Sequence, residues 1–250
     1  MEKVVYDEFY NLERTHWWFV SRQRIFIGLI NKYLQKKGNN KILDIGCGTG
    51  MNMDNCSKFG FVYGLDLSMD ALNYCSQKGY PLTQANILNL PYKSLKFDII
   101  TALDIVEHVK DDVAALKEVY RVCNYGGIFI IAVPAFQFLW GEHDWLTHHV
   151  RRYTLPELRE SVNKSGFKIK KISYNNFLLF PVGLIFRYVK ILMRFLHKER
   201  KFHSDFEKTS PPRVNSILKL IYSFEGWLLK YINFPYGLSI ICVCEKADNT

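Results

Sequence analysis

Three glycines and two carboxylates in the first half of the sequence have the spacing of a nucleotide-binding site. The glycines, in the segment LDIGCGTG, are Gly46, Gly48 and Gly50. A loop uses glycine where it needs positive φ values and close approach of a ligand to the backbone. Asp44 comes just before these glycines, and Asp66 ends the next apolar run, where a carboxylate can bind both hydroxyls of a ribose. The pattern predicts a ligand that contains a nucleoside, with a glycine-rich turn that binds nothing as the alternative.

The spacing of the glycines argues against two common nucleotide sites. It is G-x-G-x-G, whereas the dinucleotide fingerprint is G-x-G-x-x-G. The loop is not a Walker phosphate loop either, since no Gly-Lys-Ser or Gly-Lys-Thr follows it. An oxidoreductase that uses a dinucleotide is therefore disfavoured.

A second polar segment, Trp140–Thr154 (WGEHDWLTHHVRRYT), follows the last long apolar run of the first half. His143 beside Asp144 suggests a general base whose tautomer is held by the carboxylate. The paired arginines offer a planar fork for phosphate or carboxylate. Arg151 and Arg152 are therefore candidates to bind the substrate.

Other interpretations of this polar segment stay open. A metal site would draw its ligands from His143, from His148 or His149, and from Asp144 or Glu142. No HExxH spacing supports that set. A nucleic-acid contact would use the arginines and aromatic residues, but no nucleic-acid-binding module is recognisable. In a charged surface loop, Thr154 would cap the next helix. We favour a substrate-binding wall without a metal.

Short apolar runs alternate with helical patterns between residues 41 and 135. The runs of strand length are 41–46, 61–67, 97–104 and 126–135, and the helical patterns are 68–79 and 110–127. This alternation predicts βαβ units and a parallel sheet with helices on both faces. The flanking patterns are a helix over 1–36, a capped helix over 154–167 and strands over 167–175 and 237–246. Ligands bind beyond the carboxyl ends of parallel strands, so the glycine loop and the polar segment should face one cleft.

These motifs resemble those of the class I S-adenosylmethionine-dependent methyltransferases, in particular the type 11 enzymes of ubiquinone biosynthesis and of glycan- and lipid-associated pathways. LDIGCGTG matches the first motif, GLDLS (64–68) matches the second, and residues 85–109 match the region through the fourth strand. The resemblance covers residues 10–175 and the final strand. It implies a Rossmann-like, seven-stranded, mostly parallel sheet with a reversed last strand, and S-adenosylmethionine as the cofactor.

The resemblance also implies cofactor contacts along the chain. The Gly46–Gly50 loop would pass beside the methionine part, and Asp44 would support that loop and the amino group of the cofactor. Asp66 would bind the ribose hydroxyls. Asn86 stands where many relatives have Asp, and its side-chain oxygen keeps an acceptor for the adenine. The remaining contacts, to the adenine and to the methyl-donor end, are implied for Leu67, Ile87, Leu103 and Asp104.

The polar segment contains an element, HVRRYT, that is similar to one in related methyltransferases that act on small molecules and sugars. The resemblance implies that the substrate is bound by His149, Arg151, Arg152 and Tyr153.

The segment HWWFVSRQR, which precedes the first strand, offers a further contact. Trp18 and Arg22 are four residues apart and would share a helix face. In similar methyltransferases an aromatic-plus-arginine segment folds over the cofactor, which implies that Arg22 pairs with the cofactor carboxylate. The alternative is that the two tryptophans only fill the core. His108 is expected to be structural or adjacent to the cofactor rather than catalytic.

Composition bounds the class of protein. The 250 residues are 48% hydrophobic, enough for a large core, and the net charge of +9 attracts anions such as nucleic acid, acidic lipid or phosphorylated molecules. The six cysteines form no CxxC pair and the amino terminus has no apolar signal core, so we expect a cytoplasmic protein with reduced thiols. We divide the chain into a catalytic domain, residues 1–176 and 236–250, and a helical insertion, residues 177–235.

Two amphipathic helices are predicted within the insertion. The first, residues 177–196, carries on one face Arg187, Lys190 and Arg194. The second, residues 215–234, has a narrow polar stripe in an otherwise apolar surface. Between residues 187 and 213, eight Lys or Arg stand against three Asp or Glu. The charges argue against a membrane span, and they leave a lid, a pair of membrane-surface helices or a dimer face.

The sequence as a whole predicts an enzyme that transfers a methyl group from S-adenosylmethionine to a small-molecule or lipid-linked acceptor. The acceptor would be a saccharide or an isoprenoid-linked compound, and the transfer an O-methylation. The alternatives are an RNA methyltransferase, which the lack of a recognisable RNA-binding module disfavours, and a non-catalytic partner subunit that binds the cofactor. Peripheral contact with the inner face of the cell membrane and formation of a homodimer stay open.

Overall fold

A seven-stranded sheet forms the centre of the protein. The computed structural model describes the backbone of residues 3–35, 38–196 and 211–247, and the side chains of these residues except 3–5, 8 and 190–196. The strands are β1 Asn40–Ile45, β2 Gly60–Asp66, β3 Leu82–Gln84, β4 Phe97–Leu103, β5 Cys123–Pro134, β6 Lys168–Asn175 and β7 Ser239–Glu245. Their order across the sheet is β3-β2-β1-β4-β5-β7-β6.

The direction of the strands confirms the predicted fold class. β1, β2, β3, β4 and β5 pair in parallel, whereas β7 runs antiparallel to both β5 and β6. The central strands are buried along most of their length, for example from Ile99 to Ala102 in β4 and from Ile128 to Val133 in β5. Strands buried on both faces read as continuous apolar runs, which explains why the sequence shows them clearly.

Helices pack around this sheet. They are α1 Lys3–Leu12, α2 Trp17–Tyr33, α3 Met51–Cys56, α4 Met69–Ser76, α5 Asp112–Val122, α6 Glu142–Leu146, α7 Leu155–Lys164, α8 Phe180–Leu196 and α9 Pro212–Leu229. The Ser68 side chain caps α4 by accepting a hydrogen bond from the Ala71 amide. Thr154 and Glu157 form a capping box at the start of α7. Both helices therefore begin at the polar residues that predict a cap.

Parts of the sequence-based assignment differ from the structure. The helix predicted over residues 1–36 is two helices, because the chain turns after Leu12 and the His16 ring accepts a hydrogen bond from the Trp18 amide at the start of α2 (3.3 Å). The strand β3 and the helix α3 were not predicted, since elements of three and six residues are too short to show a period.

The helices α8 and α9 lie between β6 and β7 in sequence, and α9 packs along α2. The hydroxyls of Ser21 and Ser223 are 3.3 Å apart across this contact. The buried carboxylate of Glu225 accepts hydrogen bonds from the backbone amides of Phe177 (2.9 Å) and Leu178 (3.0 Å). These bonds hold the segment that leads into α8 against α9.

The charged loop predicted between α8 and α9 falls mostly outside the described residues, which resume at residue 211. Within the part of the chain that the structure describes, no helix is both long and apolar enough to cross a bilayer. All six cysteines are free and buried.

Candidate active site

A cavity of about 1400 Å³ opens at the carboxyl ends of β1, β2, β4 and β5. Helix α2 and the first turns of α8 also border it. The residues predicted to bind the cofactor that line this cavity are Trp18, Arg22, Asp44, Gly46, Gly48, Asp66, Leu67, Asn86, Ile87, Leu103 and Asp104. Gly50 does not line the cavity; it precedes α3 with a φ of 82°. The fold thus gathers these residues from separate parts of the chain at one edge of the sheet.

The glycine loop needs its first glycine for two reasons. Gly46 has a φ of 71°, and a Cβ placed on it would lie 1.9 Å from Cδ1 of Ile105. The Gly46 amide donates to the Leu65 carbonyl (2.7 Å), which ties the loop to the end of β2. A side chain at this position would push the loop away from the cavity edge.

Asp66 supports the glycine loop from the neighbouring strand. Its Oδ2 accepts a hydrogen bond from the Gly48 amide (3.0 Å), and its Oδ1 accepts one from the Ser68 amide (2.9 Å). Burial raises the pKa of this carboxyl, although the backbone hydrogen bonds oppose that shift. Each carboxylate oxygen has a second lone pair, so the group can still accept from a ligand hydroxyl.

The two carboxylate oxygens of Asp44 differ in their hydrogen bonding. Its Oδ1 accepts hydrogen bonds from the Asn52 amide group and the Thr101 hydroxyl, both at 2.6 Å. Its Oδ2 has no hydrogen-bond partner among the described residues. Burial raises the pKa of this carboxyl to about 6, against the hydrogen bonds from Thr101 and Asn52. A buried oxygen of this kind suits an ammonium group.

Arg22 presents the complementary donor. Its Nη1 forms a salt bridge with Asp104, while its buried Nη2 has no hydrogen-bond partner in the described part of the chain. The guanidinium carbon lies 4.5 Å from the ring centroid of Trp18, so the two side chains share a helix face as predicted. The residues present therefore fit S-adenosylmethionine, since its methionine part carries both an ammonium and a carboxylate.

The predicted adenine contacts lie at the β2 and β3 side of the cavity. Leu67 is exposed and Ile87 is buried, so each can offer apolar surface to a ring. The side-chain oxygen of Asn86 accepts a hydrogen bond from the Leu88 amide (3.0 Å). The predicted acceptor is thus partly used within its own turn, and its second lone pair is what a ligand would meet.

Asp144 is fully buried and holds His149, not His143 as the sequence predicted. Its Oδ1 lies 2.7 Å from Nδ1 of His149. The Arg152 guanidinium donates to both carboxylate oxygens (2.8 and 2.9 Å), and the Gly141 amide donates to Oδ2 (2.7 Å). The prediction is wrong because Asp144 lies in α6, where adjacent residues point in different directions.

The charge of Asp144 is fixed by these partners. Burial by itself would raise the pKa of the carboxyl, but the hydrogen bonds from His149 and Arg152 outweigh it and hold the pKa below its ordinary value. An ionised carboxylate only accepts hydrogen bonds, so Nδ1 of His149 carries the proton. The Nε2 atom of His149 is then the basic nitrogen, and His149 lines the cavity.

The predicted arginine fork is not presented to a ligand. The Arg152 guanidinium donates a bidentate pair of hydrogen bonds to Asp144, although part of the Arg152 side chain lines the cavity. Arg151 donates to the Lys110 carbonyl, and the buried Tyr153 hydroxyl donates to Asp112 (2.9 Å). Arg151, Tyr153 and Asp144 are not among the residues that line the cavity. These three residues lie behind the wall of the cavity and support it, because the chain at Tyr153 pairs with Ala135, just after β5.

Glu107 is a cavity residue that the sequence analysis missed. It is fully buried, and neither carboxylate oxygen has a hydrogen-bond partner among the described residues. Burial raises its pKa, and the nearby carboxylate of Asp104 raises it further. Its Oε1 lies 3.8 Å from Nε2 of His149. The sequence feature that could have identified Glu107 is its position in the turn after β4, at the edge of the sheet where ligands bind.

Two residues of the same turn belong to a group of side chains that could bind a metal ion. Ligand atoms of Glu107, His108 and His149 lie within 4.8 Å of one another. Of the metal ligands weighed from the sequence, His149 alone is in this group. Burial lowers the pKa of His108 to about 4, so its ring is neutral at physiological pH. The neutral ring fits the structural, cofactor-adjacent role expected for His108.

Comparison with known proteins agrees with this geometry. Residues 43–131 match a family described as a methyltransferase domain. An uncharacterised protein of Methanocaldococcus jannaschii is 34% identical over 107 residues, 43% of this chain and 46% of that protein. A ubiquinone biosynthesis O-methyltransferase of Pelagibacter ubique is 30% identical over 162 residues, 56% of this chain and 66% of that enzyme. The chain spans about half the length of the curated relatives it matches.

A solved structure with the same fold is the complex between the Haloferax volcanii Trm112 methyltransferase activator and a methyltransferase. The TM-score is 0.60 at 16% identity, and the match covers 98% of each chain. The fold and the site of this protein are those of the class I S-adenosylmethionine-dependent methyltransferases. Residues 43–131 of the chain are similar to the methyltransferase-domain family. The predicted class and its cofactor are confirmed at this level.

Proposed function

We propose that the protein transfers a methyl group from S-adenosylmethionine to a hydroxyl of an amphiphilic acceptor, either a small molecule or a lipid-linked compound. The observation that carries this proposal is the lining of the cavity described above. One part offers Asp44, Asp66 and Arg22 to the cofactor, and another offers a histidine to an acceptor. Its volume, about 1400 Å³, exceeds the roughly 300–1,000 Å³ typical of one small ligand, so two molecules fit.

The cofactor-binding residues position the donor. When bound, S-adenosylmethionine supplies an electrophilic methyl group on a sulfonium. Asp44 Oδ2 would accept from its ammonium and Arg22 Nη2 would donate to its carboxylate, because each is a buried group with unused bonding capacity. Asp66 would accept from the ribose hydroxyls while it holds Gly48. Fixing the donor in this way lowers the entropic part of the barrier.

His149 is the base that the geometry favours. Its Nδ1 donates to Asp144, and its Nε2 can accept the proton of an acceptor hydroxyl. Asp144 orients the ring and stabilises the imidazolium that forms, and Arg152 fixes Asp144 in turn. His143 also lines the cavity, and we assign it to binding the acceptor rather than to removing its proton.

The far part of the cavity suits an apolar tail. Its apolar lining residues are Leu139, Leu179, Val182, Phe186, Leu218 and Leu238. Most of them belong to α8, α9 and their connections, so the insertion forms the acceptor side of the site. The Pelagibacter ubique relative is named a ubiquinone biosynthesis O-methyltransferase, which supports transfer to a hydroxyl. An isoprenoid-linked or lipid-linked saccharide acceptor, met at the inner face of the cell membrane, agrees with this lining.

Titration calorimetry tests the cofactor half of the proposal. We expect S-adenosylmethionine and S-adenosylhomocysteine to bind in the micromolar range, on the order of −8 kcal/mol. NAD should give no heat, because the loop lacks the dinucleotide spacing. Heat with NAD and none with either methionine compound would overturn the proposal.

A further inference from the structure

Helix α9 carries a row of large apolar residues on the outside of the protein, in addition to the buried Tyr222 and Leu229 on its inner face. Large apolar side chains that are exposed recur every three or four residues along it. They are Val214, Ile217, Leu220, Phe224, Trp227 and, just past the helix end, Tyr231. This spacing puts them on one face, which we call the outer stripe. Leu220 is 72% exposed and Tyr231 69% exposed. The outer face of an ordinary surface helix is polar, so this second apolar face is unusual.

The opposite face of α9 packs against the protein, and small and polar residues lie there beside the buried Tyr222 and Leu229. Ser223 contacts Ser21 of α2, and a Cβ placed on Gly226 would lie 2.4 Å from Cγ1 of Ile25. Glu225 is fully buried, where burial raises its pKa and backbone amides satisfy its oxygens. Turning the helix to bury the outer stripe would expose Gly226 and break the Glu225 bonds. The outward direction of the stripe is therefore fixed by specific contacts.

Helix α8 also has apolar residues on its outer face and an arginine on its inner face. Arg187 is inward, with its side chain 13% exposed and its Nη2 3.9 Å from Asp144. Gly141 makes room for it, since a Cβ there would lie 1.6 Å from Nη1 of Arg187. Val182 and Ile185, at 62% and 64% exposed, face outward. Val182 also lines the cavity, so the exposed apolar surface of α8 is continuous with the acceptor side of the site.

We propose that the outer stripe of α9 and the exposed face of α8 lie in the surface of an anionic lipid bilayer, and that the acceptor enters the cavity from that surface. Exposed apolar side chains of this number favour transfer out of water, and Trp227 and Tyr231 are residues typical of the membrane interface. Charge favours an anionic lipid: the chain carries a net +9, and between residues 188 and 213, leaving out the inward Arg187, seven Lys or Arg stand against three Asp or Glu. Basic amphipathic helices bind such surfaces without crossing them.

The test is sedimentation with vesicles of phosphatidylglycerol and phosphatidylcholine, compared with phosphatidylcholine alone. The full chain should sediment with the anionic vesicles, and rising salt should weaken but not abolish the binding, because salt screens only the charge contribution. The triple variant Ile217→Gln, Leu220→Gln, Phe224→Gln should bind at least about tenfold more weakly. The control is Phe61→Gln, which removes an aromatic residue of similar exposure from β2 and should bind as the natural chain does.

Two results would overturn the membrane proposal. One is a natural chain that anionic vesicles do not recover. The other is a solution mass of twice 29.4 kDa that returns to 29.4 kDa in the triple variant, which would assign the stripe to a dimer interface. Delivery of the acceptor rests on the proposed function, but vesicle binding does not. Calorimetry with S-adenosylmethionine on the same samples separates the two: bound cofactor without vesicle binding contradicts only the membrane surface.

Discussion

The Asp144 carboxylate lies 2.7 Å from Nδ1 of His149 and is held on its other edge by the guanidinium of Arg152. A histidine whose Nδ1 proton is fixed in this way presents its other nitrogen as a base. The carboxylate stays ionised because His149 and Arg152 outweigh the effect of burial on its pKa. The proposed chemistry of the site depends on this relationship.

His149→Gln should reduce kcat by about 10²–10⁴-fold, the usual contribution of a positioned general base, with little effect on the affinity for S-adenosylmethionine. His143→Gln, its comparison, should act mainly on the KM for the acceptor. Both are measured as methyl transfer across a pH series. An equal, small effect of the two substitutions would show that the enzyme works by positioning the acceptor alone. Repeating the assay with a chelator shows whether the Glu107, His108 and His149 group works through a metal ion instead.

Asp66→Ala should weaken binding of S-adenosylmethionine by about 1.5–3 kcal/mol, because charge-assisted hydrogen bonds to the ribose are lost. Asp70→Ala is the matched control, since Asp70 is an exposed carboxylate in the next helix, α4. Calorimetry measures both variants. Equal affinities for the two, with thermal melts that show both folded, would contradict the ribose role of Asp66.

Affinity for S-adenosylmethionine should fall as the pH falls below about 6. Burial raises the pKa of Asp44 to about 6, and the protonated carboxyl cannot pair with an ammonium. Each pH unit below the pKa should then cost about tenfold in affinity. The ligand favours the ionised form, so the loss appears on acidification and not on alkalinisation.

Two variants identify the group behind this pH dependence. Asp44→Asn should bind weakly at every pH and lose the dependence. Burial raises the pKa of Glu13, another cavity residue, to about 7, so this carboxyl also titrates nearby. If Glu13→Gln removes the pH dependence and Asp44→Asn keeps it, the assignment to Asp44 is wrong.

Gly46→Ala should destabilise the protein and abolish cofactor binding, whereas Gly79→Ala should cost only about 1 kcal/mol. Both glycines have positive φ, 71° and 75°, so backbone strain is the same for each. They differ in space: a Cβ on Gly46 meets Ile105, while a Cβ on Gly79 meets nothing within 4 Å. Thermal melting and calorimetry compare them, and matching losses in the two variants would contradict the packing argument.

The fold was predictable where local pattern and tertiary role coincide. The runs that became β1, β2, β4 and β5 are apolar because both faces are covered, and the glycines at the end of β1 mark the ligand edge of the sheet. The partners of side chains were not predictable in this way. His143 precedes Asp144 in sequence, but helix geometry turns it away, and His149 reaches the carboxylate from beyond the end of α6.

Burial that depends on long-range packing could not be predicted from the sequence either. Glu107 reads as an ordinary acidic residue, and only the fold places it under the cavity without hydrogen-bond partners among the described residues. The polar stripe of α9 was recognised, but a stripe does not say which face is inward. Contacts of Ser223 and Gly226 with α2 decide that.

Methyl transfer itself tests the central claim most directly. The purified protein is incubated with S-adenosylmethionine that carries a trideuterated methyl group and, in parallel samples, with a cellular lipid extract, a water-soluble metabolite extract or total RNA, and the products are analysed by mass spectrometry. The account predicts S-adenosylhomocysteine together with a lipid-soluble product heavier by one trideuteromethyl group, and loss of both in Asp66→Ala. Label found only in water-soluble products or in RNA, or no S-adenosylhomocysteine above the level given by Asp66→Ala, would contradict it.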